Sequence, residues 1–368
     1  MKARRIILAF DSFKGSLTAD EAVNAAAEAV LESCSDTEAV RIPLADGGEG
    51  TTDALRRFLG ADIVCTEVHD PLMRPVTAEY AVSRDGSTAI MEMAAAAGLI
   101  LLTPEERNPM KTSTYGVGEM LLDAHRRGCR RIIIGIGGSA TNDGGLGMLA
   151  ALGAEITGDC GKIACPCGAD LQRLSSIVLD GIPKMDIEVI CDVGNPLFGP
   201  EGAAYVFAAQ KGADASQIAI LDAGLRNLAS VCGLDPEIPG SGAAGGLGYG
   251  LRLIDARIRP GSEAIIELSG LDSQLDDADL VITGEGSIDS QTLCGKLPSA
   301  VMQHAVSHGV PAIAVAGKVQ ERDRLLEAGF KEVIQMTPDG MPLDVAMRKD
   351  MALKNLRNAI CNLLDQGI

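Results

Sequence analysis

The two ends of the chain share an alternation of apolar strand-like segments with helical segments, and this alternation most constrains the fold. Residues 5–10 form an apolar run, and Thr18 and Glu21 are spaced as a helix capping box. A second strand is predicted at residues 38–43. The alternation resumes with strands predicted at 279–283, 310–315 and 332–336 and helices between them. Continuous apolar strands are typical of a parallel sheet covered by helices on both faces.

The middle of the chain has a different pattern. Strands are predicted at 64–67, 76–82 and 88–93 with only turns between them, which favours antiparallel pairing. We therefore expect an α/β fold: a Rossmann-like doubly wound domain with a second, inserted α/β domain containing antiparallel strands. The first domain would comprise residues 1–60 and 279–368, and the inserted domain residues 61–278. In doubly wound sheets, ligands bind at the carboxyl ends of the strands.

The charge and aromatic content exclude several classes of partner. The 368 residues carry a net charge of −18, with 3% aromatic residues and no Trp. Nucleic acid and membrane surfaces are therefore not expected as partners. No signal peptide or membrane-spanning run is visible at the sequence level, so the ten cysteines are expected to be reduced thiols in the cytoplasm. The oligomeric state stays open.

Glycine is in excess, and the excess is concentrated. The chain has 43 glycines, whereas an average content of about 7% would give roughly 26. Four stretches hold 17 of them: 47–50, 135–147, 240–250 and 284–286. Glycine lets a backbone approach an anion closely, so these stretches are candidate phosphate-binding loops. The stretch 240–250 could instead be a flexible crossing between domains.

Polar residues accompany several of these loops. Asp11 and Lys14 directly follow the first strand and are expected to shape the substrate or phosphate end of a site, as catalytic residues. Asp192 ends another predicted strand and is the candidate general base, or a metal ligand together with Asp143. The candidate substrate- and phosphate-binding residues are Ser12, Ser16, Asp46, Gly47, Gly48, Glu49, Arg74, Gly137, Gly138, Ser139, Thr141, Asn142, Asn195, Lys211, Gly284, Glu285, Gly286, Asp289 and Lys296.

One segment also allows a rival interpretation. Residues 135–140 follow a strand and match the GxGxxA pattern of dinucleotide-binding loops. The acidic residue that should end the next strand is missing, because Glu155 and Asp159 fall in a polar stretch expected to be a loop. An NAD-dependent hydroxy-acid dehydrogenase therefore stays only as an alternative.

Taken together, the motifs resemble those of the type-1 glycerate kinases, the bacterial glycerate 2-kinases. They stand in the family's order along nearly the whole chain: DSFKGSL from Asp11, ADGGEGT from Ala45, IGIGGSATNDGG from Ile134, CDVGNPL from Cys191 and TGEGSID from Thr283. The resemblance implies transfer of a phosphoryl group from ATP to D-glycerate with Mg²⁺, giving 2-phosphoglycerate. It also implies a site in the cleft between a Rossmann-like domain and a second α/β domain. Formation of 3-phosphoglycerate, or glycerate binding without turnover, stays open.

Overall fold

The computed structural model describes residues 4–44, 55–56, 58–293 and 295–365. The chain divides into two compact units, which we call the terminal unit (residues 1–46 and 261–368) and the inserted unit (residues 47–260). Both boundaries lie earlier in the chain than those expected at residues 60 and 278. Helices Gly261–Ser269 and Leu271–Leu275 belong to the terminal unit because they pack against its helix Leu297–Ser307.

Strands and helices alternate in the terminal unit and are mixed in the inserted unit. The described strands are β1 Arg5–Phe10, β2 Glu38–Pro43, β3 Asp62–His69, β4 Pro75–Val82, β5 Thr88–Glu92, β6 Arg131–Gly135, β7 Glu155–Gly158, β8 Gly161–Lys162, β9 Leu174–Val178, β10 Asp186–Ile190, β11 Arg257–Arg259, β12 Leu280–Gly284, β13 Ser287–Ile288, β14 Ala312–Ala316, β15 Lys318–Val319 and β16 Glu332–Gln335. The other described α-helices are Ala19–Ser33, Ala94–Ala97, Tyr115–Arg126, Leu146–Ala151, Ala203–Phe207, Ala215–Cys232, Ala243–Arg252, Arg322–Ala328, Leu343–Ala346 and Lys349–Asp365. None of the helices in the described ranges is long and apolar enough to cross a membrane.

The terminal unit is built on a five-stranded parallel sheet in the order β16-β14-β12-β1-β2. Numbered along the chain within this sheet, the order is 2-1-3-4-5, the flavodoxin-like form of the doubly wound fold. The doubly wound prediction is therefore confirmed. Strand order reverses between β1 and β12, where Phe10 lies beside Gly284, and such a switch point is the usual place for a ligand.

The capping box predicted for the first helix is present. Thr18 Oγ1 accepts a hydrogen bond from the N–H of Glu21, and a Glu21 carboxylate oxygen accepts one from the N–H of Thr18. Helix Ala19–Ser33 then packs against helix Lys349–Asp365, which comes from the other end of the chain. Both ends of the chain thus share one hydrophobic core.

The inserted unit is built on a six-stranded mixed sheet in the order β11-β10-β6-β5-β4-β3. Strands β3, β4 and β5 pair antiparallel, whereas β5, β6, β10 and β11 run parallel. The prediction of an α/β unit with antiparallel strands is confirmed. A second antiparallel sheet, β8-β7-β9, was missed: Glu155 lies in β7, where the sequence predicted a loop, because these short glycine-bounded strands show little alternation.

Candidate active site

The switch point of the terminal unit opens into a cavity. The N–H of Asp11 donates to the carbonyl of Gly284 at 3.0 Å, which joins the ends of β1 and β12. A cavity of about 770 Å³ lies beside this junction. Of the predicted site residues, Ser12, Lys14, Ser16, Glu285, Gly286 and Lys296 line it. The structure thus brings together, within one unit, residues that are nearly 300 positions apart in the sequence.

A tight turn presents Lys14 to this cavity. Phe13 is buried, its N–H donates to the carbonyl of Leu17, and the N–H of Ser16 donates to the carbonyl of Phe13. Gly15 has a φ of 76°, which favours glycine, and a Cβ there would lie 2.8 Å from Met347 Cε. The turn fixes Lys14 and Ser16 at the cavity. No described residue hydrogen-bonds to Ser16 Oγ.

Three predicted residues of the terminal unit do not line this cavity. Asp11 is 3% exposed. Gly284 is buried in β12, where a Cβ would lie 1.8 Å from the carbonyl oxygen of Val315. Asp289 caps the turn at Ser290–Leu293 by accepting from the N–H of Gln291. Asp11 and Gly284 thus join the ends of β1 and β12, whereas Asp289 shapes the turn that follows β13.

The predicted loop residues Asp46, Gly47, Gly48 and Glu49 lie outside the described residues.

The inserted unit aligns a second set of polar residues along the parallel edge of its sheet. Gly135 pairs with Glu92 of β5 and with Ile190 of β10, so these strands end at the same level. Two residues beyond these strand ends come Gly137 and Asp192, and both are exposed. The two paired strands are thus followed, one by the exposed Asp192 carboxylate and the other by the exposed Gly137–Gly138 turn.

Lys211 lies beneath that turn. The Lys211 side chain is buried, and its Nζ donates to Ser139 Oγ and to the carbonyl oxygen of Thr141, both at 2.7 Å. Gly212 turns the chain with a φ of 95°, and a Cβ there would lie 2.1 Å from the carbonyl oxygen of Arg107. Glycine at this position thus allows the Lys211 side chain to enter the core.

Burial sets the chemistry of this lysine. It lowers the pKa of Lys211 to about 7, and the nearby Asp143 carboxylate opposes this shift. Since Ser139 Oγ accepts from Lys211, the Ser139 hydroxyl keeps its own proton to donate to another group. Lys211 therefore supports the loop through Ser139 and Thr141. The sequence predicted that it binds phosphate directly, but its buried ammonium already has these two acceptors.

Asp143 is a structural anchor, not a metal ligand. Its carboxylate is buried and accepts from the N–H groups of Gly145 and Gly147 and from both the N–H and the hydroxyl of Thr114. Burial raises the pKa of Asp143, whereas these hydrogen bonds lower it. Four donors occupy the positions that a cation would need, so the metal role expected for Asp143 does not fit.

Thr141 and Asn142 are also behind the loop surface. Both are fully buried, and Thr141 Oγ1 and both polar atoms of the Asn142 amide have no hydrogen-bond partner among the described residues. An unsatisfied buried polar group costs about 1–3 kcal/mol. In this arrangement neither side chain reaches the exposed surface of the loop, so their predicted contact with phosphate stays a prediction.

The glycines of 135–147 and 240–250 pack against one another. A Cβ on Gly245 would lie 2.0 Å from the carbonyl oxygen of Thr141, and one on Gly250 would lie 2.8 Å from Gly145 Cα. The stretch 240–250 is largely buried and lies within the inserted unit, mostly in helix Ala243–Arg252. It is therefore neither an open phosphate cradle nor a crossing between units, and its glycines serve close backbone packing.

Two further predicted residues have protein partners. Arg74 forms ion pairs with Asp70 and Glu106, each at 2.6 Å, and stays about half exposed. Asn195 donates through Nδ2 to the carbonyl of Glu201 at 2.7 Å. Arg74 follows β3 at the edge where β5 and β6 end, so its partners could orient it toward a ligand there.

The sequence analysis missed two charged residues at the same edge. Glu92 ends β5, and Arg259 ends β11 opposite Ile190. Arg259 also lies 3.6 Å from Glu188. Glu92 and Arg259 each end a strand of the parallel part of the sheet. Knowledge of the strand order would have identified them as candidate site residues.

One sheet of this chain is doubly wound and the other is mixed, and their carboxyl edges carry lysines, an arginine, carboxylates and glycine turns. This combination defines an α/β enzyme that acts on small anions. The profile of the glycerate kinase family matches residues 6–366. A glycerate kinase of Halalkalibacterium halodurans is 41% identical over 95% of this chain and 94% of its own. The glycerate 2-kinase of Escherichia coli K12 is 41% identical over 86% of each chain. A crystal structure assigned to glycerate kinase 2 of Salmonella typhimurium LT2 has a TM-score of 0.87 at 41% identity, covering 99% of this chain and 98% of that one.

The chain therefore belongs to the glycerate kinase family, and it is an enzyme of that activity. The resemblance noted in the sequence is confirmed, and the dehydrogenase alternative is wrong.

Proposed function

We propose that the enzyme transfers the γ-phosphoryl group of ATP to the 2-hydroxyl of D-glycerate and releases ADP and 2-phosphoglycerate. The lysine-lined cavity at the switch point carries this proposal. Lys14, Lys296 and Lys318 line one cavity of a chain whose net charge is −18. Such local cations are needed because the molecule as a whole repels anionic substrates. The name of the Escherichia coli relative, a glycerate 2-kinase, supports the position of transfer.

The arrangement suits phosphoryl transfer because that reaction needs positioning and charge stabilisation more than covalent help. Lysines at the cavity would neutralise phosphate oxygens, and the hydroxyls of Ser12 and Ser16 would donate to them. In the inserted unit, the Ser139 hydroxyl, the exposed turn at Gly137 and Gly138 and the strand-end cations would hold a carboxylate or phosphate.

Mg²⁺ would enter as part of the nucleotide substrate. Among the residues that the structure describes, no group of three or more Asp, Glu, His or Cys side chains is arranged to hold a metal. Mg²⁺ commonly keeps several waters and is held by substrate phosphates plus one or two carboxylates. Glu285 in the cavity and Asp192 at the other edge fit that limited role, and Asp143 does not. Bound Mg²⁺ would neutralise charge on the phosphates.

Asp192 is proposed as the general base for the acceptor hydroxyl. It lies exposed two residues beyond β10, and the paired strand β6 leads into the exposed turn at Gly137. A carboxylate there can accept the proton that the hydroxyl loses as the new O–P bond forms. Asp11 supports the edge from which Lys14 projects.

The experiment is a product assay with ATP, Mg²⁺ and D-glycerate. We expect ADP formation that requires all three, with phosphorus NMR showing 2-phosphoglycerate. A signal of 3-phosphoglycerate would correct the position of transfer, and binding of glycerate without ADP release would reject the kinase proposal. We also propose that the enzyme acts in the cytoplasm, where ATP is available and where the described cysteines, all free thiols, stay reduced.

A further inference from the structure

The cavity of the terminal unit has two unlike sides. One side carries Lys14, Lys296 and Lys318 with the serine hydroxyls. The other side consists mainly of apolar side chains from one segment, residues 336–347. We call four of them the methionine wall: Met336, Met341, Leu343 and Met347.

Part of the methionine wall is exposed to solvent, although Met336 is buried. Leu343 is 74% exposed and Met347 39% exposed. Keeping such side chains in water forgoes roughly 25 cal/mol for each Å² left uncovered. Methionine is flexible and polarisable, and it makes favourable contacts with aromatic rings. The wall therefore fits a flat, mainly apolar group.

The cavity is much larger than a three-carbon acid would fill. Pockets of about 300–1,000 Å³ typically enclose ligands of drug size, and this cavity measures about 770 Å³. Glycerate has seven non-hydrogen atoms and no apolar face. The ligand that uses both sides of the cavity has an anionic end and a flat apolar end.

The acidic residues of the cavity do not contradict an anionic ligand. Glu285 accepts a hydrogen bond from Thr292 Oγ1 at 3.2 Å, and Asp339 accepts one from Gln335 Nε2 at 3.2 Å. The three lysines outnumber these two carboxylates.

Resting on the proposed function, we infer that this cavity is the nucleotide site, with the phosphates at the lysines and the base against the methionine wall. Met347 lies against Gly15, whose turn also presents Lys14. This contact places Met347, at one end of the methionine wall, next to the side of the cavity that carries the lysines. A nucleoside triphosphate spans such a pair of surfaces, since its base and its phosphates lie at opposite ends.

Calorimetry with two probes tests the wall directly. ADP and inorganic pyrophosphate share their phosphates, and only ADP carries a base. We expect Leu343→Ala to raise the Kd of ADP roughly fivefold, about 1 kcal/mol of lost apolar contact, and to leave the Kd of pyrophosphate unchanged. Lys318→Met should weaken both probes. Val306→Ala, which removes an exposed apolar side chain of the same unit outside the cavity, should change neither.

Three results would overturn the inference. The first is an unchanged Kd of ADP in both Leu343→Ala and Met347→Ala. The second is an equal rise in the Kd of ADP and the Kd of pyrophosphate in both variants. The third is a rise in the KM of glycerate in these variants without a rise in the KM of ATP. Because Leu343 is exposed, its variant should fold, and circular dichroism verifies this. Binding of ADP is measured without turnover, so its failure is distinct from failure of the product assay, which tests the proposed reaction itself.

Discussion

Lys211 contributes both to the geometry of the candidate site and to the stability of the fold. Its ammonium is buried, and its hydrogen bonds to Ser139 and to the Thr141 carbonyl tie the 3₁₀ turn Ala209–Lys211 to the glycine-rich loop. Removing the side chain leaves these two acceptors unsatisfied in the core. Lys211 is therefore a positioning residue whose charge state matters near neutral pH.

Stability should rise with pH because of Lys211. Its pKa is about 7 in the folded protein and about 10.4 in an unfolded chain. Between these values the unfolded chain binds a proton that the folded protein lacks, so the free energy of unfolding increases by at most about 1.4 kcal/mol per pH unit. Below pH 7 this contribution is constant.

Urea unfolding at pH 7, 8 and 9 measures this effect. The free energy of unfolding of the wild-type protein minus that of Lys211→Met should increase with pH. Taking the difference cancels the buried thiols of Cys167, Cys191 and Cys232, whose pKa burial raises to about 11. A difference that does not change with pH would contradict the prediction.

Asp192→Asn should lower kcat by about 10²–10⁴-fold, the usual contribution of a general base. The KM values should change much less, because the amide keeps the shape of the side chain. Asp186→Asn, at the opposite end of β10, is the matched control and should keep full activity. Steady-state kinetics with saturating ATP measures both variants, and near-normal turnover of Asp192→Asn would show that another group takes the proton.

Lys14→Ala should raise the KM of the anionic substrate bound at the cavity by about 10- to 100-fold, because one charge-assisted contact of about 1.5–3 kcal/mol is lost. Lys331→Ala removes an exposed lysine of the same unit that does not line the cavity. It should leave the kinetic constants within twofold. Unchanged constants in Lys14→Ala would remove this residue from the site.

At the scale of elements, the packing of helix Ala243–Arg252 on the glycine-rich loop is the least expected feature. Three consecutive residues of this helix, Ala244, Gly245 and Gly246, have positive φ values, which places a kink where the loop passes. Both segments are glycine-rich because each is the other's packing surface.

Comparing Gly245→Ala with Gly233→Ala separates the stability lost through packing from the stability lost through backbone strain. The two glycines have nearly equal φ values, 70° and 71°, but only Gly245 faces another backbone, with 2.0 Å from its Cβ position to the Thr141 carbonyl oxygen. Gly233→Ala should cost about 1–2 kcal/mol of stability from backbone strain alone. Gly245→Ala should cost at least about 2 kcal/mol more. If a denaturant titration shows that both variants lose the same free energy of unfolding, the loop at Thr141 can move away from the added methyl group at no energetic cost.

The sequence predicted most strands of both large sheets because these strands are apolar and bounded by turns. It missed β11, which has three residues, two of them arginines. It predicted the lysine and serine residues of the switch point because these directly follow β1. It did not predict which polar residues face a ligand. In the sequence, Thr141 and Asn142 look like surface donors and Asp143 like a metal ligand, and only the structure shows that all three are buried. The pairing of two glycine-rich stretches is likewise a long-range contact, which local patterns do not contain.

For the whole molecule, the division into units follows from long-range packing. The boundaries lie at residues 46 and 260 rather than 60 and 278, because helices Gly261–Ser269 and Leu271–Leu275 pack with the terminal unit. Each unit places polar residues at the carboxyl edge of parallel strands. The net charge of −18 is consistent with this arrangement, since binding of small anions depends on the few cations placed at those edges.

The position of β1 between β2 and β12 has a consequence for biosynthesis. When β1 and β2 leave the ribosome, the strand that must pair with the other edge of β1 has not been made, and residues 44–279 separate them. At 5–20 residues per second, this interval lasts on the order of ten to fifty seconds. The inserted unit is complete before that time and can fold first. During this interval the N-terminal strands have an unpaired apolar edge, the kind of surface that aggregates unless a chaperone covers it.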